Sequence, residues 1–131
     1  MKGFAENIET LTEANEDFRR VVYTGKYLQL VLMALRSGEE IGDEVHTGHD
    51  QFFRIEAGSG ELWIDGKKTP IKSDDAIIVP AGARHNVINT GKDPLKLYTL
   101  YGPPEHRDGV VHPRKSDALA SEEHFDGQTT E

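Results

Sequence analysis

The chain has 131 residues, no cysteine, an apolar fraction of 36% and a formal net charge of −8. That length suits a single domain, and the missing thiols exclude disulfides, thiolate metal centres and a cysteine nucleophile. The acidic balance, with no run of about five or more basic residues, argues against nucleic acid or an anionic membrane as the main partner.

Residues 1–20 read as an N-terminal extension. They carry Glu6, Glu9, Glu13, Glu16 and Asp17 without an apolar segment, which does not resemble a secretion signal. Thr12 is placed to cap a short helix running to Arg20, with acidic residues at its start and Arg19 and Arg20 at its end. From Val21 to Tyr101 the text is strand, turn, strand. Apolar or β-branched runs fall at Val21–Tyr23, Tyr27–Leu35, Gln51–Ile55, Glu61–Ile64, Ala76–Val79, Asn86–Ile88 and Leu95–Tyr101. Gly-, Pro-, Asn- and Asp-rich turns separate them, and Asp65-Gly66 suits a two-residue hairpin. This spacing predicts an all-β sandwich or barrel over residues 21–104. The longest apolar stretch, Leu28–Leu35, is interrupted by Gln29 and is too short to span a bilayer, so a cytoplasmic protein is expected. Residues 105–131 are a lid or tail. Ser116 and Gly127 bracket a second short helix whose large apolar residues are only Leu119 and Phe125, which predicts weak order.

Two segments carry the chemistry. The first reads Gly38-(x5)-Glu44-x-His46-(x4)-Gln51-(x6)-Gly58, the second Pro80-x-Gly82-x-x-His85-x-x-x-Asn89. Residues two apart on a strand share a face. Glu44 and His46 therefore point one way, and Gln51, Phe53 and Ile55 point together on the next strand. The reversal Thr47-Gly48-His49-Asp50 brings those strands side by side, and the Pro-x-Gly corner delivers His85 from a third. One carboxylate, one amide oxygen and two imidazoles then suit a divalent ion such as Zn, Fe, Mn or Ni. His49 offers a rival ligand in place of Glu44 or Gln51, although its phase places it at the rim. Asn89 is expected to fix the corner by hydrogen bonds. The bland alternatives are a hydrogen-bonded core histidine at His85 and His46, and an exposed carboxylate at Glu44.

On these residues the sequence resembles the cupin superfamily, whose motifs are G(x)5HxH(x)3–4E(x)6G and G(x)5PxG(x)2H(x)3N. The resemblance implies a double-stranded β-helix, or jelly-roll, barrel with short helical or irregular extensions. Glu44 stands where that family has its first histidine, Gln51 where it has glutamate, and Asp74 where the second motif opens on glycine. The two ligand exchanges compensate, since either set supplies one formal negative charge to a divalent ion. Metal binding is therefore expected to survive them.

The same phase makes Phe53, Ile55 and Val87 walls of a small apolar pocket. Tyr101 and His106 stand beside it if the stiff segment from Tyr101 to Pro113 folds over the barrel mouth rather than leaving as a solvated loop. Many sequences that resemble this one carry the label mannose-6-phosphate isomerase-like. A sugar-phosphate pocket needs inward Lys or Arg, and the reading finds only Arg36 and Lys96, so the label is taken as shared barrel ancestry. The expectation is a metal-dependent dioxygenase or isomerase acting on a small organic molecule, or else a non-catalytic metal- or ligand-binding barrel. Pairing into a homodimer is expected by the same resemblance.

Overall fold

The computed structural model describes all 131 residues. Ten strands and two short helices follow in the order α1 (Ile8–Ala14), β1 (Arg19–Thr24), β2 (Gln29–Leu35), β3 (Glu44–Val45), β4 (Asp50–Ala57), β5 (Ser59–Ile64), β6 (Lys67–Lys72), β7 (Ala76–Val79), β8 (Arg84–Ile88), β9 (Leu95–Gly102), β10 (Val111–His112) and α2 (Lys115–Ala120). They form a six-stranded sheet, β10-β1-β2-β9-β4-β7, facing a four-stranded sheet, β3-β8-β5-β6. All pairings are antiparallel. This is the double-stranded β-helix that the resemblance implied, and an all-β barrel as the turn spacing predicted.

Alternation builds the interior. On β4, Gln51, Phe53 and Ile55 are buried while Phe52 and Arg54 lie on the outer side. On β9, Leu95, Leu97, Thr99 and Tyr101 alternate inward in the same way. Register then sorts the interior by polarity. Ile55 pairs with Leu97, Phe53 with Thr99 and Gln51 with Tyr101. One end of the barrel is therefore packed with Met33, Leu35, Ile55, Val87, Leu95 and Leu97, each almost wholly buried. The other end presents Gln51, Thr99, Tyr101 and His85. Burying the apolar end supplies most of the stabilisation, at about 1.5–3 kcal/mol for each large side chain.

β2 breaks the alternation, because all seven of its residues are buried. A continuous apolar run suits a strand covered on both faces, and Phe4, Tyr23, Leu28 and Leu100 line a shallow apolar cleft with Leu30 on the outer side. Turn chemistry follows the residues. Asp65 and Gly66 both take positive φ, at 46° and 82°, as the two-residue hairpin between β5 and β6 requires. Asp74, standing where the motif glycine is expected, also sits at φ 77°. The motif therefore keeps its left-handed turn with aspartate, one of the few non-glycine residues that tolerates it.

Both ends of the chain differ from the expectation. The first helix is capped by Asn7, whose side chain accepts from the Thr10 amide, and ends at Ala14. Arg19 and Arg20 open β1 instead of closing that helix. The C-terminal helix covers only Lys115–Ala120. The tail beyond it is pinned rather than loose. The Phe125 amide donates to the Glu105 carbonyl, the Thr130 amide donates to the Thr24 carbonyl, and Glu131 accepts from the Tyr23 hydroxyl and the Lys2 and Gly3 amides.

Candidate metal centre

The two motifs meet at the polar end. Glu44 on β3 pairs in register with His85 on β8. The Gly82 amide in the Pro80-x-Gly82 corner donates to the His46 carbonyl at 2.7 Å, and the Ala81 amide donates to Asp50 Oδ1 at 2.8 Å. Both ligand-bearing turns are thus tied together through the backbone amides of the corner. Asn89 anchors the far end of the second motif, donating to the Leu35 and Asp93 carbonyls and accepting from the Gly91 amide.

Glu44, His46 and His85 bring donor atoms within 4.8 Å of one another. Glu44 Oε2 lies 2.8 Å from His46 Nε2. That hydrogen bond raises the His46 imidazole above its usual value against the effect of burial. Burial pushes the Glu44 carboxyl up, but the His46 hydrogen bond and the charges of His46, Arg19 and His85 leave it below its ordinary range. Both shifts favour the charged form of the pair, a carboxylate beside an imidazolium.

His85 and Gln51 are prepared differently. His85 Nδ1 lies 3.1 Å from the Ala83 carbonyl. A carbonyl only accepts, so the proton sits on Nδ1 and the Nε2 lone pair is free. That Nε2 is buried and has no hydrogen-bond partner. Gln51 Nε2 donates to Thr99 Oγ1 at 3.0 Å, and Gln51 Oε1 is likewise buried and unpartnered. Buried polar atoms without partners are costly. An imidazole nitrogen left bare in a cluster with a Glu–His pair, and a bare amide oxygen at the same end of the barrel, fit the ligand types of a divalent ion, so the residues present suit the metal that the motif implies.

His49 does not lie at the rim. It is 7% exposed, its ring centroid is 4.5 Å from that of His46 and 5.1 Å from that of Tyr101, and its Nε2 is a third buried atom without a partner. Burial and the neighbouring histidines push its pKa down to about 4, so it is a neutral imidazole at physiological pH. Its Nδ1 lies 3.4 Å from Glu105 Oε2, and His46, His49 and Glu105 form a second set within 4.8 Å. Residues 46–49 form a reversal between β3 and β4, where strand phase does not apply, and His49 is turned inward there.

The pocket residues divide. Phe53 borders the cluster, its ring 6.4 Å from that of His85. Ile55 and Val87 are fully buried in the packed core below it and are not walls of an open pocket. Tyr101 and His106 do meet, with ring centroids 5.2 Å apart. Gln29 holds the closing segment in place: its Nε2 donates to the His106 carbonyl at 2.7 Å, and its Oε1 accepts from the amides of Glu105 and His106.

Three participants were not foreseen. Glu123, from the tail, places Oε1 2.6 Å from His106 Nδ1 and accepts from the Arg107 amide at 2.8 Å. His106 Nε2 in turn lies 3.4 Å from the Tyr101 hydroxyl. A Glu123–His106–Tyr101 chain therefore reaches the cluster, and burial raises the Tyr101 phenol above its usual value. Glu105 approaches His49 from the same segment. The third is Arg19, 8% exposed at the start of β1. The two basic residues that the sequence offered stand elsewhere: Arg36 and Lys96 line a surface cleft with Glu16 and Lys115, and Lys96 Nζ donates to the Glu13 carbonyl.

Comparison with known proteins agrees with the geometry. The family model described as "Cupin domain" matches residues 31–101. The uncharacterized protein YrkC of Bacillus subtilis is 48% identical over 128 residues, covering 93% of this chain and 69% of YrkC. The crystal structure of BH2720 from Bacillus halodurans superposes with a TM-score of 0.90 at 44% identity, covering 92% of this chain and 96% of that one. A predicted oxalate decarboxylase from Thermotoga maritima matches with a TM-score of 0.57 at 28% identity, over 60% of this chain and 68% of that one. With its two motifs, its barrel and a family match over more than half its length, this chain belongs to the cupin-domain family.

Proposed function

We propose that the chain holds one divalent cation through Glu44, His46, Gln51 and His85, and acts on a small organic molecule at that centre by dioxygenase- or isomerase-type chemistry. The observation that carries this reading is the convergence of Glu44, His46 and His85, with His85 Nε2 bare and buried, and with a second bare donor, Gln51 Oε1, on the strand position paired with Tyr101 at the same end of the barrel. A bound ion would supply Lewis-acid polarisation or, if redox-active, electron transfer. The protein's own part is orientation. Ala83 fixes the His85 tautomer, Thr99 aims the Gln51 oxygen, and Gln29 keeps the closing segment over the site. His49 is the reserve ligand in this scheme, since its neutral Nε2 could replace the Glu44 oxygen or the Gln51 amide.

A non-catalytic barrel is the competing reading, favoured by the Glu44–His46 pair, which satisfies itself without metal. Oxygen uptake and substrate loss in the iron-loaded protein, offered a panel of 1,3-dicarbonyl compounds, separate the two. Turnover that disappears in His85→Ala supports the enzyme; saturable binding without turnover across the panel supports the binder. The homodimer implied by the resemblance belongs to this proposal and is read by light scattering. No helix is long and apolar enough to cross a membrane.

A further inference from the structure

Four cations line one cleft at the end of the barrel away from the histidines, and none of them has a counter-ion. Arg36 follows β2, Lys96 lies on β9 opposite Ala34, and Arg114 and Lys115 stand at the start of α2. With Glu16 and Glu39 they border a cavity of about 200 Å³. No Asp or Glu oxygen comes within the 4.0 Å of an ion pair to any of the four. Glu39 Oε1 instead accepts from the Arg36 amide at 2.7 Å, and Glu16 is exposed. Four positive charges against two negative leave a local excess of two, on a chain whose net charge is −8. The cleft is also built in advance. Lys96 Nζ donates to the Glu13 carbonyl at 2.7 Å, which fixes the ammonium and leaves it further N–H donors. The Phe18 amide donates to the Pro113 carbonyl at 3.2 Å and the Ala34 amide to the Asp17 carbonyl at 3.0 Å, so three separate stretches of chain are tied around the opening. Lys96 and Tyr101 stand at opposite ends of β9, about 17 Å apart along the strand, which separates this cleft from the candidate metal centre.

We propose that this cleft binds a phosphate dianion, either free or as the head of a small phosphomonoester. The charge of the dianion matches the local excess of two, whereas a monocarboxylate would leave half of that excess unneutralised. The guanidinium forks of Arg36 and Arg114 suit paired phosphate oxygens, and the ammonium groups of Lys96 and Lys115 act as point charges beside them. Size follows from the cavity, whose volume of about 200 Å³ lies below the roughly 300 Å³ at which pockets for drug-sized ligands begin. The organic part is therefore short, and Phe18 and Leu35 give it an apolar wall. The cleft shares no residue with the metal centre and does not depend on a bound ion.

The test is a proton–nitrogen NMR titration of the full chain at about pH 8, where a phosphomonoester is a dianion, with glycerol phosphate, inorganic phosphate and acetate. The expected result is a saturable shift of the Arg36, Lys96 and Lys115 amides with both phosphates, and weaker binding of acetate. Arg36→Gln and Lys96→Gln should each weaken phosphate binding by about tenfold or more, the range of a charged hydrogen bond. Lys67→Gln removes the same charge from β6 in the other sheet and should leave the affinity unchanged. Arg36 is exposed, so its replacement keeps the fold and the comparison stays readable. Tighter binding of glycerol phosphate assigns the site to an ester and equal binding assigns it to the free anion; either result supports the dianion site. Shifts that do not saturate, shifts confined to the histidine cluster, acetate binding as tightly as phosphate, or an equal loss in Lys67→Gln would each overturn the inference.

Discussion

Replacing Glu123 with glutamine tests whether the C-terminal tail is part of the folded site. Burial by itself would raise this carboxyl, but the hydrogen bonds from His106 and the Arg107 amide and the nearby positive charges hold it at about 2, against an ordinary 4.5. A depression of about 2.5 units at about 1.4 kcal/mol per unit contributes ~3 kcal/mol. The side chain is only 5% exposed, so solvent screening removes little of this. The sign follows from the direction of the shift. A depressed folded-state pKa gives stability that is complete above the unfolded value and lost as the pH falls toward about 2. Glu123→Gln keeps the shape and removes the charge, so it should cost ~3 kcal/mol at neutral pH and about half that near pH 3. Urea unfolding followed by far-UV circular dichroism, for both proteins across that range, measures the difference. The Arg107 amide should also exchange faster in the variant. A pH-independent difference, or one below about 0.5 kcal/mol at neutral pH, would refute the reasoning.

Three further outcomes are expected. Gln51→Glu should tighten divalent metal binding by roughly tenfold, because a carboxylate replaces an amide oxygen at the position left bare; competition with a chelating dye measures it. Asp74→Ala should cost up to about 1 kcal/mol, because alanine keeps the Cβ at φ 77° but lacks the short polar side chain that eases aspartate into this conformation. Asp74→Gly should be near neutral, since it relieves that strain and gives up only an ion pair to Arg54 whose Asp74 side chain is 83% exposed; thermal unfolding reads both. Gly60→Ala should be severely destabilising, since an added Cβ would run into the Ile88 carbonyl; the readout is soluble yield and melting temperature.

The barrel was legible because its strands obey a period of two, and the convergence of Glu44, His46 and His85 was legible because a motif fixed their spacing. What was missed lay where neither rule applies. His49 sits in a reversal with no strand phase. Arg19 stands next to Arg20, and two adjacent arginines after an acidic stretch read as a helix end, yet a strand begins there and sends one inward and the other out. Glu123 reaches His106 across 17 residues from a polar tail with no periodic pattern, so no local signal marks it. Ile55 was placed in the pocket by correct parity, but only the cross-strand register, which seats it against Leu97, puts it in the apolar half.

The central claim is that the bare donors of His85 and Gln51 belong to a metal site. Native mass spectrometry of the purified chain, with elemental analysis after reconstitution with zinc, iron, manganese and nickel, tests it most directly beside a His85→Ala control. The account predicts one ion per chain, lost in His85→Ala while the fold persists. A chain that takes up none of the four metals, or a variant that binds them as well as wild type, would contradict it.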